Sequence, residues 1–182
     1  MSILSKSLER IKPSPTISVT QKARELKAKG ADIISLGSGE PDFDTPDNVK
    51  SAAIEAIKNG QTKYTAVDGT VDLKNAIVSK FKKENNLTYE KNQISVGAGG
   101  KQVIYNAFLA TINSGDEIII PSPFWVSYPD IVLLAGGIPK IIECGEEDNF
   151  KLTAKSLKKN ITQKTKWLII NSPGNPTGSC YS

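Results

Sequence analysis

Lys166-Trp167-Leu168-Ile169-Ile170-Asn171-Ser172-Pro173-Gly174-Asn175-Pro176-Thr177-Gly178 sets a continuous apolar run directly against a loop dense in turn formers. The run predicts a strand over 166–171 of the kind covered on both faces. Upstream, the same punctuation recurs. Short apolar stretches at 94–96, 117–120 and 140–143 read as strands, and 102–112, 128–134 and 153–159 read as helices between them. Strands alternating with helices predict βαβ units and a mostly parallel sheet. The last of these strands ends 11 residues before Ser182. Its neighbours and covering helices are therefore expected from sequence outside this chain, and an uncovered edge invites aggregation. The chain reads as an incomplete α/β domain.

The first half is helical in rhythm. Leu4, Leu8 and Ile11 stand at helical spacing and stop at Pro13 and Pro15. A helix over 18–29 ends at Gly30, an extended stretch follows over 33–36, and Gly37-Ser38-Gly39-Glu40-Pro41-Asp42 is rich in turn formers. Thr45-Pro46 predicts a helix start, with a capping hydroxyl and then proline in the first turn. Val49, Ala52, Ala53, Ala56 and Ile57 mark one face of that helix for burial, and Gly60 closes it. A further helix over 71–84 turns Leu73, Ala76, Ile77 and Phe81 inward.

Composition narrows the chemistry. The 182 residues are 38% hydrophobic and 23% charged, the balance of an ordinary soluble domain. The net charge of +4 is spread without a basic block, so no nucleic-acid partner is expected. Cys144 and Cys180 form no CxxC pair and suggest a reduced, cytoplasmic compartment. No apolar run approaches the roughly 18 residues of a membrane span. The stretch through Pro15 lacks a signal-peptide core, so it is expected to belong to the mature protein. There is no histidine. That removes Ser-His-Asp hydrolysis and HExxH zinc chemistry from these residues, and leaves acid–base work to Lys, Tyr, Asp, Glu or a cofactor.

Four segments could carry chemistry. Gly97-Ala98-Gly99-Gly100-Lys101 joins a strand to a helix, where backbone N–H groups and the positive helix end converge on an anion. Gln102 stands where a Walker A loop needs Ser or Thr and where GxGxxG needs glycine, so the loop is neither. A tight turn with a solvated lysine is the plain alternative. Asn171 to Gly178 lies beyond a strand's C-terminal end, where open α/β sheets bind ligands, and Asn175 offers an amide that both donates and accepts. Turn punctuation alone would also explain that composition. Trp125 follows another strand end and is either a ring available for stacking or part of the core. Tyr64 is either packed or presents its phenol to an anion.

Taken together, these segments resemble the aspartate aminotransferases of the class I/II aminotransferase family, in its bacterial aspartate/prephenate branch. Five matches fall in the family's order across nearly the whole chain. They are Gly39-Glu40-Pro41-Asp42-Phe43-Asp44-Thr45-Pro46, Lys63-Tyr64-Thr65 with Gly69 and Leu73, Gly99-Gly100-Lys101-Gln102, the segment from Pro121 to Tyr128, and Asn171 to Gly178. The resemblance implies fold type I of the pyridoxal-phosphate-dependent transferases. It assigns 1–45 to an N-terminal arm and part of a small domain, and 46–182 to the beginning of the large cofactor-binding domain, with its sheet incomplete.

The resemblance also implies a cofactor, pyridoxal 5'-phosphate, and roles for particular residues. Gly99, Gly100 and Lys101 match the loop that cradles its phosphate, Trp125 the ring that stacks on its pyridine, and Asn175 the amide that bonds its phenolic oxygen and approaches substrate. Tyr64 matches a tyrosine reaching the phosphate of a neighbouring subunit, which implies a homodimer. Gly39 matches a backbone contact to the substrate carboxylate, and Lys12 a position associated with the second carboxylate. The implied substrates are L-aspartate, L-glutamate and their 2-oxo acids, with aromatic or prephenate specificity as an alternative. The family's Schiff-base lysine and carboxylate-binding arginine fall beyond Ser182, so no catalytic residue is assigned and no transamination by this chain alone is expected. Ala98 stands where relatives often carry a hydroxyl. Two readings of other classes remain beside this one: a non-catalytic truncated product, and a phosphate- or nucleotide-binding α/β protein using the glycine loop.

Overall fold

A computed structural model describes residues 3–37 and 39–182; Ser38, in the turn-rich segment, lies outside the described residues. The chain divides into two compact units. One joins the N-terminal residues through Ser14 to Ala98–Ser182, and the other is Pro15–Gly97.

The first unit holds the sheet. Its strands are β1 (Glu117–Ser122), β2 (Ile138–Glu143) and β3 (Thr165–Leu168), in the order β2-β1-β3 and all parallel. Helices α4 (Gly100–Thr111), α5 (Ser127–Leu134) and α6 (Ala154–Asn160) alternate with them, as the sequence predicts. Ile118, Ile119 and Ile120 are completely buried because β1 is the middle strand and is covered on both faces. Phe108 and Ile112 from the α4 segment pack against Ile118 and Ile120, with Tyr128, Ile131 and Val132 of α5. Burying side chains of this size stabilises by about 1.5–3 kcal/mol each before entropy is counted. Trp167 joins this core edge-on to Phe108, with ring centres 5.3 Å apart, and its indole N–H donates to Thr111 Oγ1 at 2.9 Å.

Polar contacts tie the N-terminal ends of the strands together. Glu117 accepts from Thr162 Oγ1 at 2.8 Å and from Lys140 Nζ at 3.2 Å. The Thr162 hydroxyl, then the Lys140 ammonium, hold the Glu117 carboxyl below the usual carboxylate range, against the opposing effect of desolvation. The N-terminal 3-10 turn, Lys6–Arg10, is fastened to α5 where Arg10 Nη1 donates to the Leu133 carbonyl at 3.3 Å. Cationic groups at a helix C-terminus are favoured there.

β3 departs from expectation. It is the outer strand beside β1, its burial is partial, and Ile170 is 53% exposed. The apolar run suited to a strand covered on both faces is left half covered among the described residues.

The second unit consists of α1 (Pro15–Ala28), α2 (Asp47–Lys58) and α3 (Val71–Asn85), with loops between them. Thr45 does not cap α2: Pro46 takes the capping position with φ −52° and ψ 140°, and no side chain bonds the first turn. Asp47 and Lys50 pair instead at 2.7 Å, with the acid at the positive helix end. The apolar face of α2 is in place but uncovered, with Val49 51% and Ile57 67% exposed. On α3, Leu73 and Ala76 are exposed while Ile77 and Phe81 are half-buried.

The stretch at 94–96, read as a strand, forms none. The Val96 N–H bonds the Asp68 carbonyl at 3.1 Å, a single bond where a strand would need a ladder. Beside it Gly69 has φ +107°, and a Cβ there would stand 2.8 Å from Val96 Cγ2, so this crossing requires glycine. Asp68 pairs with the buried Lys74 at 2.5 Å. That ammonium holds the Asp68 carboxyl below its ordinary value.

Candidate functional site

The glycine loop follows the pattern of an anion site. α4 begins at Gly100 with Gly99 as its cap at φ +95°, a conformation costly for any residue with a Cβ. The first four N–H groups of a helix have no partner within it. Here Val103 is the first to find one, on the Gly99 carbonyl at 3.3 Å, which leaves the N–H groups of Gly99, Gly100, Lys101 and Gln102 for a ligand or water. No atom lies within 4 Å of where a Cβ would stand at Gly99 or Gly100, so the backbone can be approached closely. Gln102 has a role the sequence did not suggest: its Oε1 accepts the Ala98 N–H at 2.5 Å and closes the turn.

Lys101 and Trp125 come together. The Lys101 ammonium lies 4.9 Å from the centre of the Trp125 ring, within cation–π range. Trp125 is half-buried and packs against the edge of the core, and Tyr128 meets it edge-on with centres 5.4 Å apart. Trp125 is thus neither wholly in the core nor wholly exposed. Burial pushes the Tyr128 phenol up, so it stays protonated throughout the neutral range.

Asn175 sits beyond the C-terminal ends of β1 and β3, beside a cleft that also takes in Ile120, Pro121, Tyr128, Ile170, Asn171 and Tyr181. Its volume of about 30 Å³ admits a water molecule or two, not a cofactor ring. The loop carrying Asn175 is closed by hydrogen bonds of its own. The Asn175 N–H donates to Asn171 Oδ1 at 2.9 Å, Gly174 N–H to the Ser179 carbonyl at 2.8 Å, and Gly178 N–H to the Gly174 carbonyl at 2.7 Å. Asn171 therefore shapes the loop, a role its spacing of four from Asn175 could have signalled.

The remaining expected residues are divided between the two units. Lys12 is exposed, two residues past Arg10 in the first unit. Gly39 and Tyr64 belong to the second unit; Tyr64 is fully exposed and nothing lies within 4 Å of a Cβ at Gly39. No group of three or more metal-ligating side chains occurs among the described residues, and no helix there is long and apolar enough to cross a membrane.

The residues of the first unit suit a phosphorylated aromatic cofactor. Free N–H groups at the start of a helix and a lysine fit a phosphate, and the indole and the amide fit a flat heterocycle carrying an oxygen.

Known proteins match this chain along its full length. Their names and measures are consistent with one another. A probable aspartate/prephenate aminotransferase of Rickettsia bellii is 63% identical over 182 residues, covering 100% of this chain and 46% of that protein. The aspartate/prephenate aminotransferase of Cereibacter sphaeroides is 61% identical with the same coverage. The solved aspartate aminotransferase of Thermus thermophilus with maleate superposes with a TM-score of 0.97 at 43% identity, covering 100% of this chain and 48% of that one. That of Rhizobium meliloti superposes with a TM-score of 0.94 at 46% identity, covering 100% and 46%. The chain spans a little under half the length of these relatives. The family model described as aminotransferase class I and II matches residues 31–182, and the chain belongs to that family.

Proposed function

We propose that this chain carries the cofactor-holding residues of an aminotransferase that moves an amino group between L-aspartate and 2-oxoglutarate, giving oxaloacetate and L-glutamate, in a ping-pong reaction. Pyridoxal 5'-phosphate supplies the chemistry when bound, as an electron sink for the substrate's α-carbon. The observation that carries the reading is the open N-terminus of α4 with Lys101 set 4.9 Å from the Trp125 ring. Gly99, Gly100 and Lys101 take the phosphate through backbone N–H groups and one ammonium. Trp125 offers its ring face for stacking. Asn175 gives its amide to the phenolic oxygen and the substrate. Gly39 donates its backbone N–H to a substrate carboxylate, Lys12 faces the second carboxylate, and Tyr64 reaches a phosphate in the partner subunit of a cytoplasmic homodimer. Residues 1–45 serve as arm and part of a small domain, and 46–182 as the start of the large one.

None of these groups forms the covalent bond to the cofactor or moves the α-proton, so the chain alone is expected to be inactive. Charge also speaks to the substrate class. A dicarboxylic amino acid needs a cation for each carboxylate, best an arginine fork, and Lys12 supplies one point charge. The relatives named for both aspartate and prephenate make prephenate the second substrate to test.

The test is a chimera in which this chain replaces the matching 46% of the Rickettsia bellii relative. Aspartate-dependent formation of glutamate from 2-oxoglutarate supports the proposal. A folded dimer that binds pyridoxal phosphate but transaminates neither aspartate nor prephenate overturns it.

A further inference from the structure

The loop that presents Asn175 is tied down by a residue that none of the proposed cofactor contacts includes. Tyr181 Oη accepts the Leu152 N–H at 2.7 Å, and the Tyr181 N–H donates to Ser172 Oγ at 3.0 Å. One residue therefore bonds a neighbouring segment through its phenol and the near end of the loop through its backbone. Between Ser172 and Tyr181 the loop is closed by bonds of its own, Gly174 to Ser179, Gly178 to Gly174, and Ser179 N–H to Thr177 Oγ1 at 3.2 Å. Ser172 is adjacent to Asn171, whose side chain holds the Asn175 N–H.

The segment gripped at Leu152 is itself unusual. Asn149 and Phe150 have φ of +51° and +56° in succession. A left-handed Phe is strained by its own Cβ, so surrounding contacts must hold it. Phe150 N–H bonds the Gly145 carbonyl at 2.9 Å, and two residues further Leu152 is held by Tyr181. Phe150 and Tyr181 both line the cleft beside Asn175.

We infer that Tyr181 is a positioning residue for Asn175, a strut between the Leu152 N–H and Ser172 that fixes the loop against the Phe150 wall. The inference rests on the reading of Asn175 as a cofactor and substrate contact, but the strut itself is tested without cofactor. Removing the phenolic oxygen leaves the Leu152 N–H without its acceptor and frees the Tyr181 end of the loop. The Asn171–Asn175 bond then opens more often, although neither of those residues is altered.

The experiment is amide hydrogen exchange by NMR on the whole chain, comparing wild type with Tyr181→Phe and Ser172→Ala. In Tyr181→Phe, the Leu152 and Asn175 N–H groups exchange at least about tenfold faster, the Asn175 side-chain amide shifts toward a solvated amide, and the buried Ile118–Ile120 amides keep their protection. Ser172→Ala speeds Asn175 while leaving Leu152 slow. Acceleration at Leu152 with Asn175 unchanged overturns the inference, making Tyr181 a local lock. Equal acceleration at Ile118–Ile120 overturns it as well, because the change is then general loosening. If Tyr181→Phe fails to fold, Ser172→Ala decides alone: an unchanged Asn175 exchange rate refutes the strut. Failure of the chain to bind pyridoxal phosphate bears on the proposed function and leaves these exchange rates unaffected.

Discussion

Gly69→Ala offers a worked perturbation of the second unit. The new Cβ meets Val96 Cγ2 at 2.8 Å and Val96 Cβ at 3.0 Å, against an optimum near 3.5–4.0 Å. Overpacking of that degree costs about 1–3 kcal/mol. The φ of +107° adds about 1–2 kcal/mol for a residue with a side chain. The stiffer unfolded chain returns about 0.4–1 kcal/mol, so the net loss is roughly 1–4.6 kcal/mol, centred near 3. Gly60→Ala is the control, since its φ is +72° but nothing lies within 4 Å of the new Cβ. It should cost about 0–1.6 kcal/mol by the same reckoning, because the overpacking part is absent. Urea unfolding followed by circular dichroism measures both variants, with stability taken from the midpoint at constant slope. Adding Val96→Ala to Gly69→Ala should recover the overpacking part, which a double-mutant cycle isolates. A Gly69→Ala chain as stable as Gly60→Ala refutes the account of this crossing.

Other outcomes follow from the polar groups. Asp68 has its carboxyl lowered by Lys74, so its stabilisation is present above the ordinary aspartate value, near pH 4, and fades as pH falls through the lowered value. Asp68→Asn should therefore be less stable than wild type at neutral pH and converge with it in acid, as urea midpoints across pH will show; a constant gap contradicts the pairing. Cys144 is buried, and its thiol is pushed up by desolvation first and then by Asp148, whereas Cys180 is exposed. Iodoacetamide at neutral pH should label Cys180 in the native chain well before Cys144, read by peptide mass spectrometry, and equal labelling refutes the placement.

The sequence made the sheet legible because its signals there are local and strong. The apolar run at 118–120, set between turn formers, reads as a strand and is one, but it takes the middle place that the longer run at 166–171 was expected to hold. The glycine loop was equally readable, since a glycine cluster opening a helix exposes N–H groups wherever it occurs. Periodicity failed where the outcome depends on a distant partner. Val49 and Ile57 mark the apolar face of α2 correctly, yet their spacing says nothing about what covers that face. Ile94 and Val96 look like a strand because apolar β-formers do, and the Asp68 carbonyl that meets Val96 lies 28 residues away in sequence. Tyr181 escaped notice for the same reason, since the Leu152 N–H it accepts lies 29 residues away, whereas Gln102 and Asn171 each bond a residue four positions off, a spacing that could have signalled them. The capping hydroxyl at Thr45 failed on purely local grounds, because Pro46 takes the position it would have capped.

The claim that Lys101 and the α4 N-terminus hold a phosphate is tested most directly by one comparison of affinities. Binding of pyridoxal 5'-phosphate and of pyridoxal, which lacks the phosphate, is measured on the chimera with and without Lys101→Ala. A bond to a charged group contributes about 1.5–3 kcal/mol, so the variant should lose roughly ten- to a hundredfold in affinity for the phosphate ester. Its affinity for pyridoxal should stay within about twofold of wild type. An equal loss for both compounds, or no loss for either, contradicts the assignment of this loop to the phosphate.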